Sequence, residues 1–578
     1  MTGRTPGGAA GREPRLLAAT ALLAAFLSAV AGALSPVLAD TPDASPETTP
    51  GMRMYREGIL PSGKKMRGET TGRVSFSGAM AACANCHRRS GMGSFEGGTA
   101  VRPITGAALY RPSELNGPAQ LARFPTRAGT RQWPAYTDQT LARAIRDGIG
   151  PSGRRFDAAM PRYALADADL ALLISYLKSL SATGAPGITE EVIRFATVVD
   201  ASVSLDRRNA MLDVLQVYVR IRNQGAGAAR KARRKALRDR DAPWPEARML
   251  NAYRTLELDV WELSGPPDTW EPQLEAHYRR RPVFALLGGI SAGGWGPVHR
   301  FCERYEVPSL FPSTDAPVVS GTGYYTVYFS RGIELEADAL AAHLSAEPDD
   351  VRRRPVVQMY RDDEVGKAAA AAFRKALARS GESEPRDVRL SATGDLPTRL
   401  LEEARGGERS VNSVLWLAGS DLRRLGMRPW SASPPGRVYL SSTLAGTVAA
   451  AAFGTRNGEV YVVHPFALPK GTGEQDRIRV WLDSRKIPPG DERLQGNAFF
   501  AAAIAVEALG ELLDFFSRDY FLEKVEHMVE TTVTPSAYPR LSLGPGQRFA
   551  SKGSYILRYE PESGGFIPVG GWIVPELR

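Results

Sequence analysis

The spacing of apolar residues changes along the chain, from a helical pattern before residue 183 to an alternation of strands and helices after it. In the first part, the clearest helical pattern follows Asp167, where apolar side chains recur at i, i+3, i+4 and i+7: Leu170, Leu173, Ile174 and Leu177. This spacing predicts a helix with one buried face. In the second part, short apolar runs predict strands at 192–199, 255–261, 283–288, 355–360, 413–418, 438–441 and 460–463.

This alternation predicts the fold class. Strands that alternate with helices indicate parallel sheets with helices on both faces, and the length of the second part favours two α/β lobes over one. Short strands at 553–559 and 564–571 are expected to close the second lobe. The Gly/Pro segment at 183–187 marks a boundary. The prediction is an all-α domain at 51–182, a linker at 183–190 and a two-lobed α/β domain at 191–578.

The first 39 residues have the pattern of a secretory signal peptide. Arginines precede an apolar run at 16–34, and small residues lead to a cleavage site after Ala39. The run approaches the length of a membrane span, so an uncleaved inner-membrane anchor is the alternative. Its alanine and glycine content favours cleavage. Either form exports the rest of the chain, which indicates a periplasmic protein.

Composition adds little beyond excluding some partners. Hydrophobic residues make up 43% and charged residues 24% of the 578 residues, which is ordinary for globular domains. The net charge is +10, but the arginines are spread widely instead of forming one basic stripe. Together with export, this argues against nucleic acid as a partner. The three cysteines provide no disulfide framework, because two of them belong to a single short motif.

That motif, Cys83-Ala84-Asn85-Cys86-His87, predicts covalent attachment of one haem c. Two thiols three positions apart can add to the two vinyl groups of one porphyrin, and the next histidine can bind the iron. A zinc site would need further ligands, and the remaining cysteine, Cys302, is far downstream. A dithiol redox pair would be expected within a βαβ pattern, which is absent around Cys83. Haem attachment to this motif takes place outside the bacterial cytoplasm, in agreement with export.

The sixth iron ligand is expected to be a methionine. Met80 lies too close to the cysteines in sequence to reach the opposite haem face. Met92 follows His87 after only a short loop, so its side chain could reach the opposite face of the haem only with difficulty. It is the alternative candidate for the sixth ligand. Met160 lies before Pro161 in an extended loop ahead of the predicted helix. Met160 is therefore the predicted ligand.

From the cysteine motif to the helix that ends at Leu180, the first domain resembles a class I mono-haem cytochrome c. In that family a proline carbonyl orients the axial histidine, and Pro103 matches this place. The resemblance implies single-electron transfer through a His87/Met160-ligated iron to a periplasmic redox partner. The turns at 58–65 and 148–155 share a Pro-Ser-Gly sequence followed by two cations. These cations could attract an acidic redox partner, or the turns could simply be solvated.

Two turns in the second domain suggest a site for a small oxyanion. The segment 288–295 follows a predicted strand and opens a helix, and 311–315 follows the next short strand. Glycines that permit close approach, with Ser291 and Ser313 beside helix N-termini, suit a carboxylate. The alternative is simple helix capping by the two serines. The first turn does not match G-x-G-x-x-G, so a dinucleotide site is not expected.

With these turns in place, the second domain resembles a type I periplasmic binding protein of the branched-chain amino-acid and amide receptor family. The resemblance implies a small-molecule ligand whose carboxylate contacts Ser291 and, more loosely, Ser313 and Thr314. Family members that bind amino acids also supply a carboxylate to the ligand ammonium. Here only Asp421 lies near the corresponding places, which argues against an ordinary amino-acid ligand because a buried ammonium needs a countercharge.

Three functions remain open at this point. The first is an exported electron carrier whose binding module gates or locates electron transfer. The second is the solute receptor of an ABC importer, paired with a permease and carrying an accessory haem domain. The third is an enzyme that uses the haem as an electron port, and the absence of a recognisable nucleophile–base pair disfavours it.

Overall fold

In the computed structural model, the first domain consists mainly of short helices around one apolar cluster. Thr49 caps the first helix by accepting a hydrogen bond from Met52 N, and Gly58 ends it in the left-handed conformation (φ 67°). The predicted apolar stripe of the last helix is buried. The described helices are α1 (Pro50–Glu57), α2 (Ala84–His87), α3 (Gly106–Leu109), α4 (Asp138–Asp147) and α5 (Asp167–Ser179).

The structure describes most of the chain from residue 48 to residue 576. The excepted residues within this range are 73, 97–98, 112–133, 182–183, 239–252, 322, 397–409, 427–435, 458, 469–473, 513–514 and 533. The predicted signal peptide at 1–39 lies outside the described residues, as does the start of the predicted linker. No helix within the described ranges has both the length and the apolar character needed to cross a membrane.

The first domain is not purely helical, which corrects the all-α prediction. Its short strands are β1 (Arg67–Glu69), β2 (Ser75–Ser77), β3 (Ser94–Glu96), β4 (Thr99–Val101) and β5 (Arg162–Tyr163). Strand β1 pairs antiparallel with both β2 and β5, and β3 pairs with β4. These strands are only two or three residues long, which is too short for an alternating pattern to be visible in the sequence.

Helices α1 and α5 cross at close range. An added Cβ at Gly51 would lie 2.8 Å from the Cβ of Tyr176, so only glycine permits this approach. The rings of Tyr55 and Tyr176 pack beside the crossing at 5.4 Å. The crossing brings the two ends of the domain together around the segment that carries the cysteine motif.

Both Pro-Ser-Gly turns adopt the same conformation. Each follows a helix that ends at a left-handed glycine, and each closes a bridge between its ends, Ile59 with Lys65 and Ile149 with Arg155. The glycine of each Pro-Ser-Gly has a φ of 78°. The paired cations are exposed: Lys64, Lys65, Arg154 and Arg155.

The first α/β lobe contains a five-stranded parallel sheet. The strand order is β10-β9-β8-β6-β7. Buried strands of this kind are apolar on both faces, which explains the continuous apolar run of β6. The strands are β6 (Val192–Asp200), β7 (Thr255–Leu263), β8 (Ala285–Leu287), β9 (Ser309–Leu310) and β10 (Thr326–Val327). The described helices that follow the boundary are α6 (Leu205–Gln224), α7 (Ala226–Arg238), α8 (Trp270–Arg280) and α9 (Gly296–Arg304).

The second lobe contains a seven-stranded mixed sheet in the order β12-β11-β13-β14-β15-β16-β17. Its first five strands are parallel and its last two antiparallel, so the tail closes this lobe as predicted. The strands are β11 (Val356–Arg361), β12 (Arg386–Leu390), β13 (Asn412–Trp416), β14 (Arg437–Ser441), β15 (Val460–His464), β16 (Tyr555–Glu560) and β17 (Gly565–Pro568). The described helices are α10 (Ile333–Ala346), α11 (Asp349–Arg352), α12 (Glu364–Arg379), α13 (Gly419–Gly426), α14 (Ser442–Ala445) and α15 (Thr447–Asn457). The two-lobed α/β prediction is therefore confirmed.

The chain returns to the first lobe after β15 in the helices α16 (Glu474–Ser484), α17 (Glu492–Leu512) and α18 (Arg518–Thr531). Residues of α17 and α18 belong to the same apolar core as β6 and β8. Two of the segments that connect the lobes, after β10 and before β16, run side by side. Tyr328 N donates to Arg548 O at 2.8 Å, and Ala550 N donates to Tyr328 O at 3.1 Å. We refer to residues 328–332 and 548–554 together as the hinge pair.

Arg518 ties α18 to the rest of the first lobe. Its buried guanidinium donates to the carbonyl oxygens of Val283 at 2.6 Å, Phe284 at 3.0 Å and Tyr305 at 3.0 Å. These carbonyls lie beside β8 and after α9, at the ends of secondary-structure elements where backbone carbonyls often need a side-chain donor.

We expect Arg518→Met to lower the free energy of unfolding by at least about 3 kcal/mol, because several buried carbonyls would lose their donor at roughly 1–3 kcal/mol each. Denaturant unfolding followed by circular dichroism measures this change. Arg353→Met, at a side chain that is 73% exposed, is the control and should change the stability by less than about 0.5 kcal/mol. Equal stabilities for the two variants would contradict this role for Arg518.

Candidate haem site and binding cleft

The cysteine motif forms a single helical turn. Cys83 precedes α2, and the backbone N–H of His87 donates to Cys83 O at 2.9 Å. Both motif cysteines are free thiols, Cys83 half-buried and Cys86 exposed. Burial raises the pKa of Cys83 to about 12, so this thiol is protonated at neutral pH. The turn presents two thiols and an imidazole from one short segment, as attachment to one porphyrin requires.

The imidazole of His87 is prepared to bind a metal. Its Nδ1 lies 3.0 Å from the carbonyl oxygen of Arg102. Because a carbonyl only accepts hydrogen bonds, Nδ1 carries the proton and Nε2 keeps its lone pair. Burial lowers the pKa of His87 to about 4, so the ring is neutral at physiological pH. A neutral ring fixed through Nδ1 is the form that ligates iron.

The residue that orients His87 differs from the one predicted. The resemblance to class I cytochromes c assigned this role to the carbonyl of Pro103. In the structure the carbonyl of Arg102, one residue earlier, accepts the hydrogen bond from His87. Pro103 still contributes, because its ring disfavours helical conformations of Arg102 and so helps to fix the carbonyl. The prediction located the correct peptide segment and named the wrong carbonyl.

The surroundings of the motif fit a haem in the chemistry of their donors. Cys83 and Met160 both pack against the same apolar cluster, which also contains Met66, Leu109 and Tyr163. Arg162 donates to the carbonyl of Met160 and so holds the loop that carries it. Met92 is buried, and its backbone N–H donates to Ser90 Oγ at 3.1 Å. The donor set of two thiols, one neutral imidazole and a thioether beside an apolar cluster suits haem c.

The residues after His87 dock onto the first lobe. Arg89 lies within ion-pair distance of Asp519 (3.3 Å) and Glu306 (3.6 Å), and its guanidinium lies 4.3 Å from the ring centroid of Tyr324. Arg56 of α1 also reaches Asp519, at 3.0 Å. The segment 83–90, which carries the cysteine motif and is called the haem-attachment segment below after its predicted role, is therefore part of the contact between the two domains.

Ser90 makes the tightest polar contact of this docking. Its backbone N–H and its hydroxyl both donate to the carboxylate of Glu523 in α18, at 2.8 and 2.6 Å. Ser90 itself is fully buried. Desolvation raises the pKa of Glu523 to about 8, against the two hydrogen bonds from Ser90 that lower it. The carboxylates of Asp519 and Glu526 add to the rise.

A cleft of about 990 Å³ is lined by residues of both lobes, and a small cavity of about 30 Å³ shares part of its lining. The larger space lies within the usual size range of small-molecule sites. Most of its apolar lining comes from the second lobe, including Trp416, Leu444 and Phe566. The carboxyl ends of β13 and β14 lead into this cleft, as expected for a ligand site in an α/β fold.

Of the predicted ligand-binding residues, Ser313 and Thr314 line the small cavity, but Ser291 lines neither space. The hydroxyl of Ser291 lies 3.4 Å from Asp200 Oδ2 and accepts a hydrogen bond from Gly293 N at 3.1 Å. It therefore stabilises its own turn, which is the capping alternative. Thr314 Oγ1 donates to Gly293 O at 2.8 Å.

Carboxylates of the protein already occupy the backbone donors of the first predicted turn. Ala292 N donates to Asp200 at 3.1 Å, and Gly294 N donates to Glu364 Oε2 at 2.9 Å. Glu364 begins α12 of the second lobe, so this second bond crosses the cleft. Another carboxylate would be repelled here, which explains why Ser291 does not fit the predicted role.

Asp421 is not available to a ligand ammonium. Its carboxylate is paired with Arg361 at 2.6 Å, and the two side chains neutralise each other at the wall of the cleft. Trp416 lines the cleft, whereas Trp295, in the first predicted turn, is buried in the core of the first lobe.

Three charged residues that the sequence did not single out, Arg207, Arg493 and Asp315, line both spaces. Arg207 is paired with Asp491 at 3.2 Å, which leaves Arg493 and Asp315. Arg493 lies 5.0 Å from the ring centroid of Phe466. Burial opposes its charge, but nearby carboxylates, Asp315 foremost, outweigh this and raise its pKa. One helical turn further along α17, the buried Asn497 also lines the small cavity, and its Oδ1 has no partner within the described part of the chain. Isolated charges carry no spacing signal, so sequence reasoning could not have found this pair.

Part of the first domain matches a known protein family. Residues 76–181 match the family model of cytochrome c. This match spans Cys83, Cys86, His87 and Met160, so this part of the chain is a cytochrome c domain. No curated protein matches the chain.

Several solved structures similar to the chain are described as proteins of ABC transporters or as leucine-binding proteins. A fatty acid ABC transporter substrate-binding protein from Thermomonospora curvata is 15% identical, with a TM-score of 0.48 over 68% of this chain and 95% of that one. A branched chain amino acid ABC transporter from Thermus thermophilus with bound valine is 14% identical, with a TM-score of 0.48 over 67% and 97%. A leucine binding protein from Thermotoga maritima is 11% identical, with a TM-score of 0.45 over 66% and 99%.

The raised pKa of Glu523 predicts a pH dependence of stability. The folded protein binds the Glu523 proton more tightly than the unfolded chain, so this contribution is complete below about pH 4.5 and is lost as the pH rises towards about 8. We expect the free energy of unfolding of the wild type, relative to Glu523→Gln, to fall over this range, by no more than about 1.4 kcal/mol per pH unit.

Denaturant unfolding at pH 5, 6, 7 and 8 tests this expectation. Glu562→Gln, at an exposed position of the tail, is the control, and its free energy of unfolding should change with pH as that of the wild type does. If the free energy of unfolding of Glu523→Gln also changed with pH as that of the wild type does, the Glu523 carboxyl would not be the titrating group.

Proposed function

We propose that the protein is an exported carrier of single electrons, in which a cytochrome c domain is joined to a module that binds a small zwitterionic molecule. One observation carries the first half of this proposal. His87 is held as a neutral imidazole by its bond to Arg102 O, with Nε2 free, inside a motif that offers two thiols. An arrangement of this kind has little purpose other than a covalently attached haem.

The roles of the chain's own residues follow from this proposal. Cys83 and Cys86 would hold the haem through thioether bonds, and His87 Nε2 and Met160 Sδ would bind its iron. When bound, the haem would supply a one-electron couple, and the methionine would raise its potential. With two protein ligands on the iron, the arrangement would favour electron transfer over oxygen chemistry. The apolar cluster against which Cys83 and Met160 pack would border the haem.

The exposed cations of the two Pro-Ser-Gly turns support an acidic redox partner. Four positive charges, Lys64, Lys65, Arg154 and Arg155, stand on turns of identical conformation in the cytochrome domain. Exposed positive charges raise the rate of encounter with a negatively charged partner, and this effect is lost at high salt. We propose that this partner is a periplasmic redox protein.

The charges of the cleft support a zwitterionic ligand. The side chains of Arg493 and Asp315 make no hydrogen bond or ion pair with a described residue, and both residues line the two spaces. A ligand anion would satisfy Arg493, and a ligand cation would satisfy Asp315. A simple anion would leave Asp315 unpaired beside it. Asp315 therefore supplies the countercharge that Asp421 does not, and an amino acid with an apolar side chain fits the cleft.

The runner-up function is a solute receptor for an ABC importer with an accessory haem domain. The cleft alone fits either function. The docking of Arg89 and Ser90 onto the first lobe favours the electron carrier, because an accessory domain has no need to be held through the residues beside its iron ligand. An importer receptor would bind its ligand equally well with oxidised and reduced iron.

We expect Met160→Ala to abolish the far-red absorption band of a methionine–iron bond in the oxidised holoprotein and to lower the midpoint potential, because a soft thioether stabilises the reduced iron. Met92→Ala is the matched variant and should retain the band. Optical spectra with a redox titration measure both properties. Loss of the band in Met92→Ala and its survival in Met160→Ala would assign the ligand to Met92 instead.

The same purification tests haem attachment itself. The wild-type chain should remain coloured on a denaturing gel, and Cys83 and Cys86 should resist alkylation. A colourless chain with two reactive thiols would end the electron-carrier proposal.

We expect Arg493→Ala and Asp315→Asn each to weaken the binding of an apolar amino acid by at least about tenfold, because each removes one charge-assisted contact worth roughly 1.5–3 kcal/mol. Isothermal titration calorimetry with L-valine, L-leucine and L-phenylalanine measures this loss. Arg479→Ala, at a charged residue of the cleft mouth that is 61% exposed and paired with Glu492, is the control. Wild-type protein that binds none of the three probes would contradict a ligand of this class.

A further inference from the structure

The residue after the axial histidine has a strained backbone. Arg88 has φ 63° and ψ 169°, a region that residues with side chains rarely adopt. Such a conformation costs about 1–3 kcal/mol and persists only where the surroundings impose it. The hydroxyl of Tyr55 donates to Arg88 O at 2.7 Å and holds one side. The contacts of Arg89 and Ser90 with the first lobe hold the other side.

Arg89 and Arg548 meet at one aromatic ring. Each guanidinium carbon lies 4.3 Å from the ring centroid of Tyr324, so the ring contacts two cations. Arg89 belongs to the haem-attachment segment, whereas Arg548 is buried and paired with Glu526 at 2.8 Å. The Nε and Nη2 atoms of Arg548 have no hydrogen-bond partner in the described structure, so the ring of Tyr324 is a major part of its environment.

Arg548 belongs to the hinge pair. Its carbonyl accepts the hydrogen bond from Tyr328 N at 2.8 Å. Tyr328 and the next residue, Phe329, line the small cavity of the cleft. Any rotation of one lobe against the other must therefore pass through the strand contact that fixes Arg548. Hinge segments of this kind absorb most of the backbone change when two lobes close.

We propose that the stack of Arg89, Tyr324 and Arg548 transmits the opening and closing of the cleft to the axial-ligand segment, so that the state of the lobes sets the affinity of the haem for its electron. The inference rests on the proposed haem at His87. Arg89, Tyr324 and Arg548 are positioning residues, since they act on the iron through Arg88 and His87. Ligand and electron are then linked, and each changes the affinity for the other by the same factor.

Variants of Tyr324 test the stack without changing a charge. Tyr324→Leu removes the ring, and Tyr324→Phe keeps it and is the matched control. In the full-length holoprotein, we expect Tyr324→Leu to change the equilibrium constant of haem reduction by at least about threefold, which is about 28 mV for a one-electron couple. Hydrogen exchange of the amides at 88–93 should become faster in Tyr324→Leu. Tyr324→Phe should match the wild type in both measurements.

Arg89→Gln repeats the test if Tyr324→Leu does not fold. Its control is Arg154→Gln, which removes one charge from an exposed turn of the same domain. A larger change of potential and faster exchange at 88–93 are expected only in Arg89→Gln. Equal shifts in the two arginine variants would mean that the lost charge alone, and not the stack, changes the potential.

A double-mutant cycle tests the connection with the cleft. Glu364→Ala removes the bond that crosses the cleft to Gly294 N, far along the chain from the haem segment. We expect this variant to shift the potential when Tyr324 is present and to have no effect in the Tyr324→Leu background, because coupled residues are not additive. The proposal is overturned if Glu364→Ala leaves the potential unchanged, or if its shift survives in Tyr324→Leu.

These outcomes are distinct from a failure of the proposed function. A wild-type protein without a reversible one-electron couple would refute the electron carrier itself. A wild-type protein with such a couple, whose potential ignores both Tyr324→Leu and Glu364→Ala, would refute only the linkage.

Discussion

The segment 87–93 makes contacts on two sides, one within the first domain and one with α18 of the first lobe. On one side it holds His87 as a neutral imidazole through the carbonyl of Arg102. On the other side Arg89 and Ser90 meet the acidic residues of α18. The left-handed backbone of Arg88 lies between these two sets of contacts. Neither surface could be altered without moving the other, because three residues leave little freedom to absorb a change.

The docking depends on the placement of α18 in the first lobe. Arg518 anchors the start of this helix to the carbonyls beside β8 and after α9, and the next turns present Asp519 and Glu523 to the cytochrome domain. Buried carboxylates of this kind are tolerated only with partners. Arg56 of α1 and Arg89 and Ser90 of the segment 87–93 are those partners, so the carboxyl groups that α18 presents to this interface each have a hydrogen-bond or ion-pair partner.

The cleft shows a similar balance of charges between its two lobes. Most of its charged residues are already paired within the protein, as Asp421 is with Arg361 and Glu492 is with Arg479. Arg493 and Asp315 are the exceptions that matter for a ligand. The bond between Glu364 and Gly294 holds the lobes together at the turn where a ligand carboxylate was expected. The protein thus uses its own carboxylate at that turn, and the pair of charges proposed to bind the ligand lies elsewhere in the lining of the cleft.

The sequence by itself determined the chemistry of Cys83, Cys86 and His87, the two α/β lobes with most of their strands, and the presence of both Pro-Ser-Gly turns. These features are set by contacts between residues that are near each other in the chain, so spacing and residue type reveal them. Strands β10 and β12 were not predicted. The carbonyl that orients His87, the capping role of Ser291, and the placement of Arg493 and Asp315 in the lining of the same two spaces were decided only by the tertiary structure. So was the contact of Arg89 and Arg548 on one ring. In these cases residues up to several hundred positions apart are brought together by packing, and no local pattern records where a distant partner will lie.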